Sequence, residues 1–574
     1  MKKLIYTLLF LVLSLISYSQ QYYVSPTGND SNDGSAADDD HAWLTIPNFY
    51  NTGGRISAGD TVNVLAGTYN QKVRFYNFSG GDEDNVTLIR AYNDANVIID
   101  GTGFDIWEGG ALVMSNSSYI KFYGLTIRNI NMTGYEYSMS AVVFNGDAKH
   151  NEMVNCTVYN CWGAGIGVGA DSCLVDSCLV YNCCENNNRD EGRNLEQTES
   201  WGSGISARRY PTGVTIRNCI VHDVWGEGIS TFEAEYTTIE DNVIYDVSSA
   251  MLYCSDSRYC LLQRNFVYTT RDMGTLQLGL AYWDERDLVE DVYNKNNILI
   301  NNIVYGCYRN FRISSSNPLT EGTLIAFNTF VNSREIANVD MLSVVHTGGE
   351  FKNNIIIQED GLPCIRATNS YDLVYSNNLY NKSYDSDAVG ANDVIDSDNI
   401  IKTGTYTDTS YYRLVSESNG IDAGIALDTV DVDYEGTARD DPPDIGALEY
   451  AEQNPAVAPT VVTGQVYNVS KTSCSVIGNT TDDGGDIISQ KGVCWSTNLN
   501  PTTADDKTEE GGGAGEFSSD ITGLNENTTY HVRAYSINGV DTSYGEDKEF
   551  KTLKSGYISN GGNVLWFNGK IIYY

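Results

Sequence analysis

Ten short rows in the middle of the chain share one register. One position in them is held by Cys156, Cys178, Cys219, Asn242, Asn265, Asn302, Asn328, Asn354 and Asn378, with Leu125 in the row before. Successive members are mostly 22 to 26 residues apart, with three longer steps where loops are inserted. A repeat this short cannot bury its apolar face alone and must stack on its neighbours, so each row is one turn of a solenoid. Stacked strands lie about 4.8 Å apart, which sets each side chain against its copy in the next turn. A buried Asn column can then satisfy its amides along the stack. The pattern predicts an all-β, right-handed parallel β-helix in which the ladder is architecture and the chemistry lies elsewhere.

The N-terminus reads Lys2, Lys3, an apolar run from Leu4 to Ile16, then Ser17, Tyr18 and Ser19. A basic start, an apolar core too short for a bilayer and small polar residues at its exit predict a cleavable signal peptide over 1–19 and a secreted or cell-surface protein. No later stretch has the roughly 20 apolar residues of a membrane helix, so membrane embedding is not expected. A formal net charge of -39 excludes a general nucleic-acid binder. The 13 cysteines fit core thiols better than disulfides. Cys156, Cys178 and Cys219 occupy the ladder, and Cys161, Cys183 and Cys307 form a second column five residues on. No CxxC pair or His cluster supports zinc, and no organic cofactor is expected.

Residues 21–452 read as the solenoid. Its opening, Tyr22 to Gly34 (YYVSPTGNDSNDG) with Ala58 to Tyr69 (AGDTVNVLAGTY), and its close, Gly420 to Tyr450, resemble the two ends of secreted pectin lyase-like β-helix proteins that act on polysaccharides. Residues 453–553 change to short alternating runs between Gly, Asn and Asp turns, the pattern of a small β-sandwich. The stretches GVCWST (from Gly492) and GLNENTTYHVRAYSIN (from Gly523) resemble a fibronectin type III-like domain. In the tail, 554–574, Asn568-Gly569 between two apolar runs predicts a tight hairpin.

Three turns carry one motif before a strand: WGAGI from Trp162, WGSGI from Trp201 and WGEGI from Trp225. Between Cys183 and Trp201 the chain inserts the polar segment Cys184 to Ser200, and insertions on a rigid scaffold are where function concentrates. From Cys184 to Gly274 the cations are all Arg, including Arg208, Arg209, Arg258 and Arg271. Arg grips carboxylates in fork geometry. Aligning strands on Ile205, Ile229 and Leu252 stacks Arg209, Glu233 and Asp256 in one column and sets Glu235 beside Arg258. Carboxylates so spaced can serve as a glycosidase pair, hold calcium, or form a surface charge ladder. Glu227 is a further candidate acid. His222, alone on a regular strand, reads as structural. In LQLGLAYWDERD, from Leu276, Tyr282 and Trp283 would make a sugar-stacking lip on a loop.

Glu233-Ala234-Glu235 resembles the Glu-x-Glu calcium element of the chondroitinase B and alginate lyase family. The resemblance implies a calcium site at Glu233, Glu235 and Asp256. That family's Lys base has no counterpart here, where Thr237, Thr238 and Glu240 follow, so Arg209, Arg258 or Arg271 is expected to handle the uronate or act as base. Arg208, Tyr282 and Trp283 would bind substrate. The expectation is a monomeric secreted protein that engages an acidic polysaccharide, by lyase-like β-elimination on a uronic acid unit. The alternatives are a glycoside hydrolase with paired carboxylates and a non-enzymatic glycan-binding or adhesion protein.

Overall fold

The ladder residues sit where the chain turns a corner. Each follows a residue in left-handed conformation: Asn218 (φ 53°), Asp241 (58°), Arg264 (51°), Asn301 (55°), Phe327 (55°), Asn353 (56°) and Asn377 (53°). The bend interrupts sheet pairing, and the ladder side chain replaces it. The Oδ1 of Asn302 accepts from the backbone N–H of Asn265 at 3.1 Å and from its Nδ2 at 2.9 Å. Asn302 Nδ2 donates in turn to Leu262 O at 2.9 Å and to Asn328 Oδ1 at 3.0 Å. The pattern runs from Asn242 to Asn378, ends on Asp393 and is joined at its start by the Cys219 N–H, which donates to Asn242 Oδ1 at 2.9 Å.

This is a computed structural model. It describes residues 19–47, 55–104, 110–130, 140–185, 202–273, 277–284, 294–315, 319–342, 345–368, 371–384, 388–397, 400–402, 404–450, 457–554, 564–567 and 570–573. The expected signal peptide through Tyr18, most of the Cys184 to Ser200 insertion, Trp201 and the Asn568-Gly569 turn lie outside the described residues.

The chain divides into two compact units, Met1–Tyr450 and Ala451–Tyr574. In the first, three parallel sheets of 14, 11 and 13 strands, here called A, C and B, form the faces of the right-handed β-helix. A typical turn runs from sheet C (Ser203–Arg208) to sheet A (Thr215–Arg217), round the ladder corner to sheet B (Ile220–Val224), and on to sheet C of the next turn (Glu227–Phe232). The inner column Ile205, Ile229, Leu252, Leu280, Phe311, Val339 and Ile365 follows the expected register and is fully buried. All thirteen cysteines are buried free thiols, and burial pushes those of Cys173, Cys260 and Cys307 up to about 12.

On the outside of sheet B, Tyr159, Tyr181, His222, Tyr245 and Tyr268 stack ring on ring at 4.8, 5.1, 4.7 and 5.1 Å, which gives His222 its structural role. The described residues of the second unit hold two antiparallel sheets and a separate two-stranded hairpin. One contains Thr460–Tyr467, Ser473–Asp482 and Gly515–Thr522, and the other is centred on Gln490–Ser496 and Thr529–Ile537, with Val476, Val493, Ile521 and Val532 in the core. Val564–Phe567 pairs antiparallel with Lys570–Tyr573, as the tail sequence predicts. Among the described residues no helix is long and apolar enough to cross a membrane.

Candidate functional site

Every second side chain of sheet C faces away from the core. One outward column reads Gly167, Ser206, Ser230, Tyr253, Ala281, Arg312, Asp340 and Arg366. At the turns of Ile166–Val168, Ser203–Arg208 and Glu227–Phe232 it shrinks to Gly167, Ser206 and Ser230, which form a floor without bulk. Ser203 Oγ donates to Glu227 Oε2 at 2.9 Å and lies 2.9 Å from Ser230 Oγ. Ser206 is also buried, and its Oγ has no hydrogen-bond partner among the described residues. Arg208 ends the neighbouring strand. Burial pushes its guanidinium down from the usual value, and the nearby Glu227 charge opposes that shift. A carboxylate and a guanidinium from adjacent turns thus share one hydroxyl-lined, partly desolvated surface, where electrostatic contacts count for more than in water.

Further along the same face the cations are closed off. Asp340, with a fully buried side chain, accepts from Arg366 Nε at 2.7 Å on Oδ1 and is in ion-pair contact with Arg309, whose Nε lies 2.9 Å from Oδ2. Burial lowers the Arg312 pKa beside them. This cluster braces the sheet and leaves the Ser203 to Ser230 stretch as the polar part with small side chains.

The corner from sheet C to sheet A carries the expected charge column. Arg209 (φ 72°), Glu233 (56°) and Asp256 (45°) follow Arg208, Phe232 and Ser255, which are paired in register. Glu235 and Arg258 are bridged neighbours, and Arg258 Nε donates to Glu235 Oε1 at 2.7 Å. Lys295 and Glu321 continue that row with their own 2.8 Å ion pair. The surface charge ladder is therefore present.

The calcium expectation does not fit these residues. Glu235 is engaged by Arg258, and Asp256 is 1% exposed and accepts from Ser255 Oγ at 3.1 Å. Glu233, Glu235 and Asp256 are not among the described groups whose ligand oxygens converge. The one group that does is Asp422, Asp440 and Asp444, within 4.8 Å of one another. There Asp444 Oδ1 accepts from the Asp422 N–H at 2.8 Å and Oδ2 from the Tyr450 N–H, so it ties together the segment that closes the solenoid.

Two other expectations are corrected. Tyr282 is not a lip on a loop. Leu278–Asp284 is a strand of sheet C, and Tyr282 falls in the inward column with Ala207, Thr231 and Cys254, fully buried, its hydroxyl meeting Thr323 Oγ1 at 2.7 Å and Asn297 Nδ2 at 3.0 Å. The Trp283 side chain lies outside the described residues. Arg271 does not join Arg209 and Arg258. It follows sheet B, at the opposite edge of sheet C, where it pairs with Asp223 and lies 3.9 Å from Asp246. The exposed aromatics beside the site are Tyr210, Tyr236 and Tyr259, on the corner next to Arg209 and Glu233. Sequence reasoning passed over them.

Residues 22–260 match the family model for the Pel9A-like right-handed β-helix region. The match includes the turns that carry Arg208 and Glu227. Among solved structures, XylC in complex with xylose aligns over 75% of this chain and 98% of its own, at 12% identity and a TM-score of 0.50. Pectate lyase Pel9A aligns over 76% of this chain and 98% of its own, at 15% identity and a TM-score of 0.43. The GH136 lacto-N-biosidase from Eubacterium ramulus covers 63% of each chain at 14% identity and a TM-score of 0.36. At these identities the likeness is one of fold. The chain matches no curated protein sequence.

Proposed function

We propose that the outer face of sheet C is a groove that processes an acidic polysaccharide by β-elimination at a uronic acid unit. The observation that carries the reading is a Glu227 carboxylate held by the Ser203 hydroxyl, with the buried Arg208 guanidinium close enough to feel its charge, over the Ser203, Ser206 and Ser230 floor. Elimination requires the uronate carboxylate to be neutralised, which makes the neighbouring C5–H acidic, and a base within reach of that proton. Arg208 supplies the cation in the fork geometry a carboxylate accepts. Glu227, oriented by the Ser203 hydroxyl, takes the proton. The electron pair forms the C4–C5 double bond, the C4–O bond breaks, and the departing oxygen takes a proton from water. Arg209 at the groove edge binds a further acidic group of the chain. Arg258 and Arg271, tied to Glu235 and Asp223, are not assigned the base role. The Pel9A-like family match over these turns supports a glycan-processing function, and export to the cell surface or medium accords with it.

A hydrolytic reading has one observation in its favour, the stacking of Glu233 and Asp256 on successive turns of one corner. The test is to incubate the full chain with a panel of uronic acid polysaccharides while following ultraviolet absorbance and reducing ends together. Elimination gives both signals. Reducing ends without absorbance transfer the assignment to a hydrolase, and neither signal with any substrate removes the catalytic reading.

A further inference from the structure

We infer that the corner between sheets C and A carries an aromatic slot that stacks pyranose units of a glycan between the rings of His150 and Tyr236. The inference rests on the reading of the chain as a glycan-engaging protein and assigns it a second contact surface beside the groove. One corner column runs Tyr119, His150, Ser172, Gly213, Tyr236, Tyr259, all left-handed, with φ of 59°, 54°, 52°, 72°, 50° and 57°. Each donates its N–H to the residue just ahead of the next member: His150 to Asp171 O at 3.1 Å, Ser172 to Thr212 O at 2.8 Å, Gly213 to Glu235 O at 2.9 Å and Tyr236 to Arg258 O at 3.1 Å. The column is therefore in strict register.

Its aromatics form two separate pairs. Tyr119 stacks on His150 at 4.8 Å with 8° between planes, and Tyr236 on Tyr259 at 4.9 Å with 7°. Between the pairs stand only Ser172 and Gly213, and a Cβ placed on Gly213 would meet nothing nearer than Ser172 Oγ at 3.7 Å. Three strand spacings separate the facing rings, about 14 Å. A ring stacked on each wall needs roughly 4.5 Å, so the gap admits one pyranose per wall. Tyr236 is 55% exposed, and among the described residues the ring stacked on it is that of Tyr259, on the side away from Gly213. The sheet B stack from Tyr159 to Tyr268 shows the purely structural version of the device, unbroken, with each inner ring closed on both faces by its neighbours. Interruption by the two smallest polar or featureless residues is what makes the corner column a receptor for an apolar sugar face.

The experiment is affinity electrophoresis of the full chain through gels containing neutral and uronic acid polysaccharides, with two variants. Tyr236→Ala removes one wall. Ser172→Tyr adds a ring to the column, in a conformation that Tyr119 and Tyr259 already adopt, and fills the slot without deleting anything. The slot predicts that Tyr236→Ala weakens retardation about tenfold and that Ser172→Tyr weakens it comparably while keeping wild-type thermal stability or raising it. Wild-type retardation with both variants unchanged overturns the slot and leaves the groove reading intact. No retardation of the wild type on any polysaccharide overturns the glycan reading itself.

Discussion

Replacing Asn302 by Ala tests what the ladder does for the solenoid. Asn302 makes four side-chain hydrogen bonds inside the core: its Oδ1 accepts from Asn265 N and Nδ2, and its Nδ2 donates to Leu262 O and Asn328 Oδ1. Asn265 Nδ2 keeps Ile239 O and Gln263 O as partners, and Asn328 Oδ1 keeps the backbone N–H of residue 302. The Asn265 N–H loses the partner that serves it at the bend, while the Leu262 carbonyl, in a strand paired on both sides, loses a side-chain donor. An orphaned buried group costs about 1–3 kcal/mol, so Asn302→Ala should destabilise by about 1–3 kcal/mol. Asn302→Cys should cost clearly less, because a sulfur can face the same amide, as Cys156 Sγ faces the Leu125 N–H at 3.5 Å. Urea unfolding followed by far-ultraviolet circular dichroism, with native-state hydrogen exchange at Asn265, measures both. Equal stability of the Ala and Cys variants, or a loss below about 1 kcal/mol for Ala, would refute the satisfaction argument.

Acid should weaken the fold through His346, whose Nδ1 lies 2.6 Å from Thr320 Oγ1 and whose burial pushes its pKa down to about 4. The folded state resists protonation while the unfolded state does not. The stability is present above about pH 6.5 and falls by about 3 kcal/mol as pH drops to 4, and His346→Gln should flatten that slope in a pH series of unfolding midpoints. The thirteen buried thiols should stay silent to a thiol reagent in the native protein and all react after denaturation, whereas rapid native labelling of Cys183 or Cys184 would contradict their burial. Arg208→Lys should raise KM on a uronic acid polysaccharide about tenfold or more, since an ammonium cannot reproduce the fork. Arg258→Lys, on the charge ladder, should leave turnover unchanged in the same assay.

The sequence exposed what repeats. The ladder fixed the turn length, the alternation around Ile205, Ile229 and Leu252 fixed which side chains enter the core, and together they placed Arg209, Glu233 and Asp256 in one column and Glu235 beside Arg258. Tyr282 was misplaced because the long step after Asn265 reads as a loop, although Gly279-Leu280 repeats the Gly204-Ile205 and Gly228-Ile229 pattern that marks a sheet C strand. The corner aromatics were legible in principle, since Tyr119, His150, Tyr236 and Tyr259 all stand six residues ahead of a ladder position. The Asp340 cluster was not, because it gathers Arg309 and Arg366 from turns of unequal length. The proximity of Glu227 to Arg208 was likewise hidden, because Arg208 is in register with Phe232, five residues beyond Glu227, and the two charges share a floor that only the folded sheet creates.

The most direct measurement compares wild type with Glu227→Gln on the uronic acid polysaccharide that gives the strongest ultraviolet signal. Removal of a general base predicts a fall in kcat of about 100-fold to 10,000-fold with KM little changed and the fold intact by circular dichroism. An undiminished rate of absorbance change in Glu227→Gln would contradict the assignment of the sheet C face as the catalytic groove.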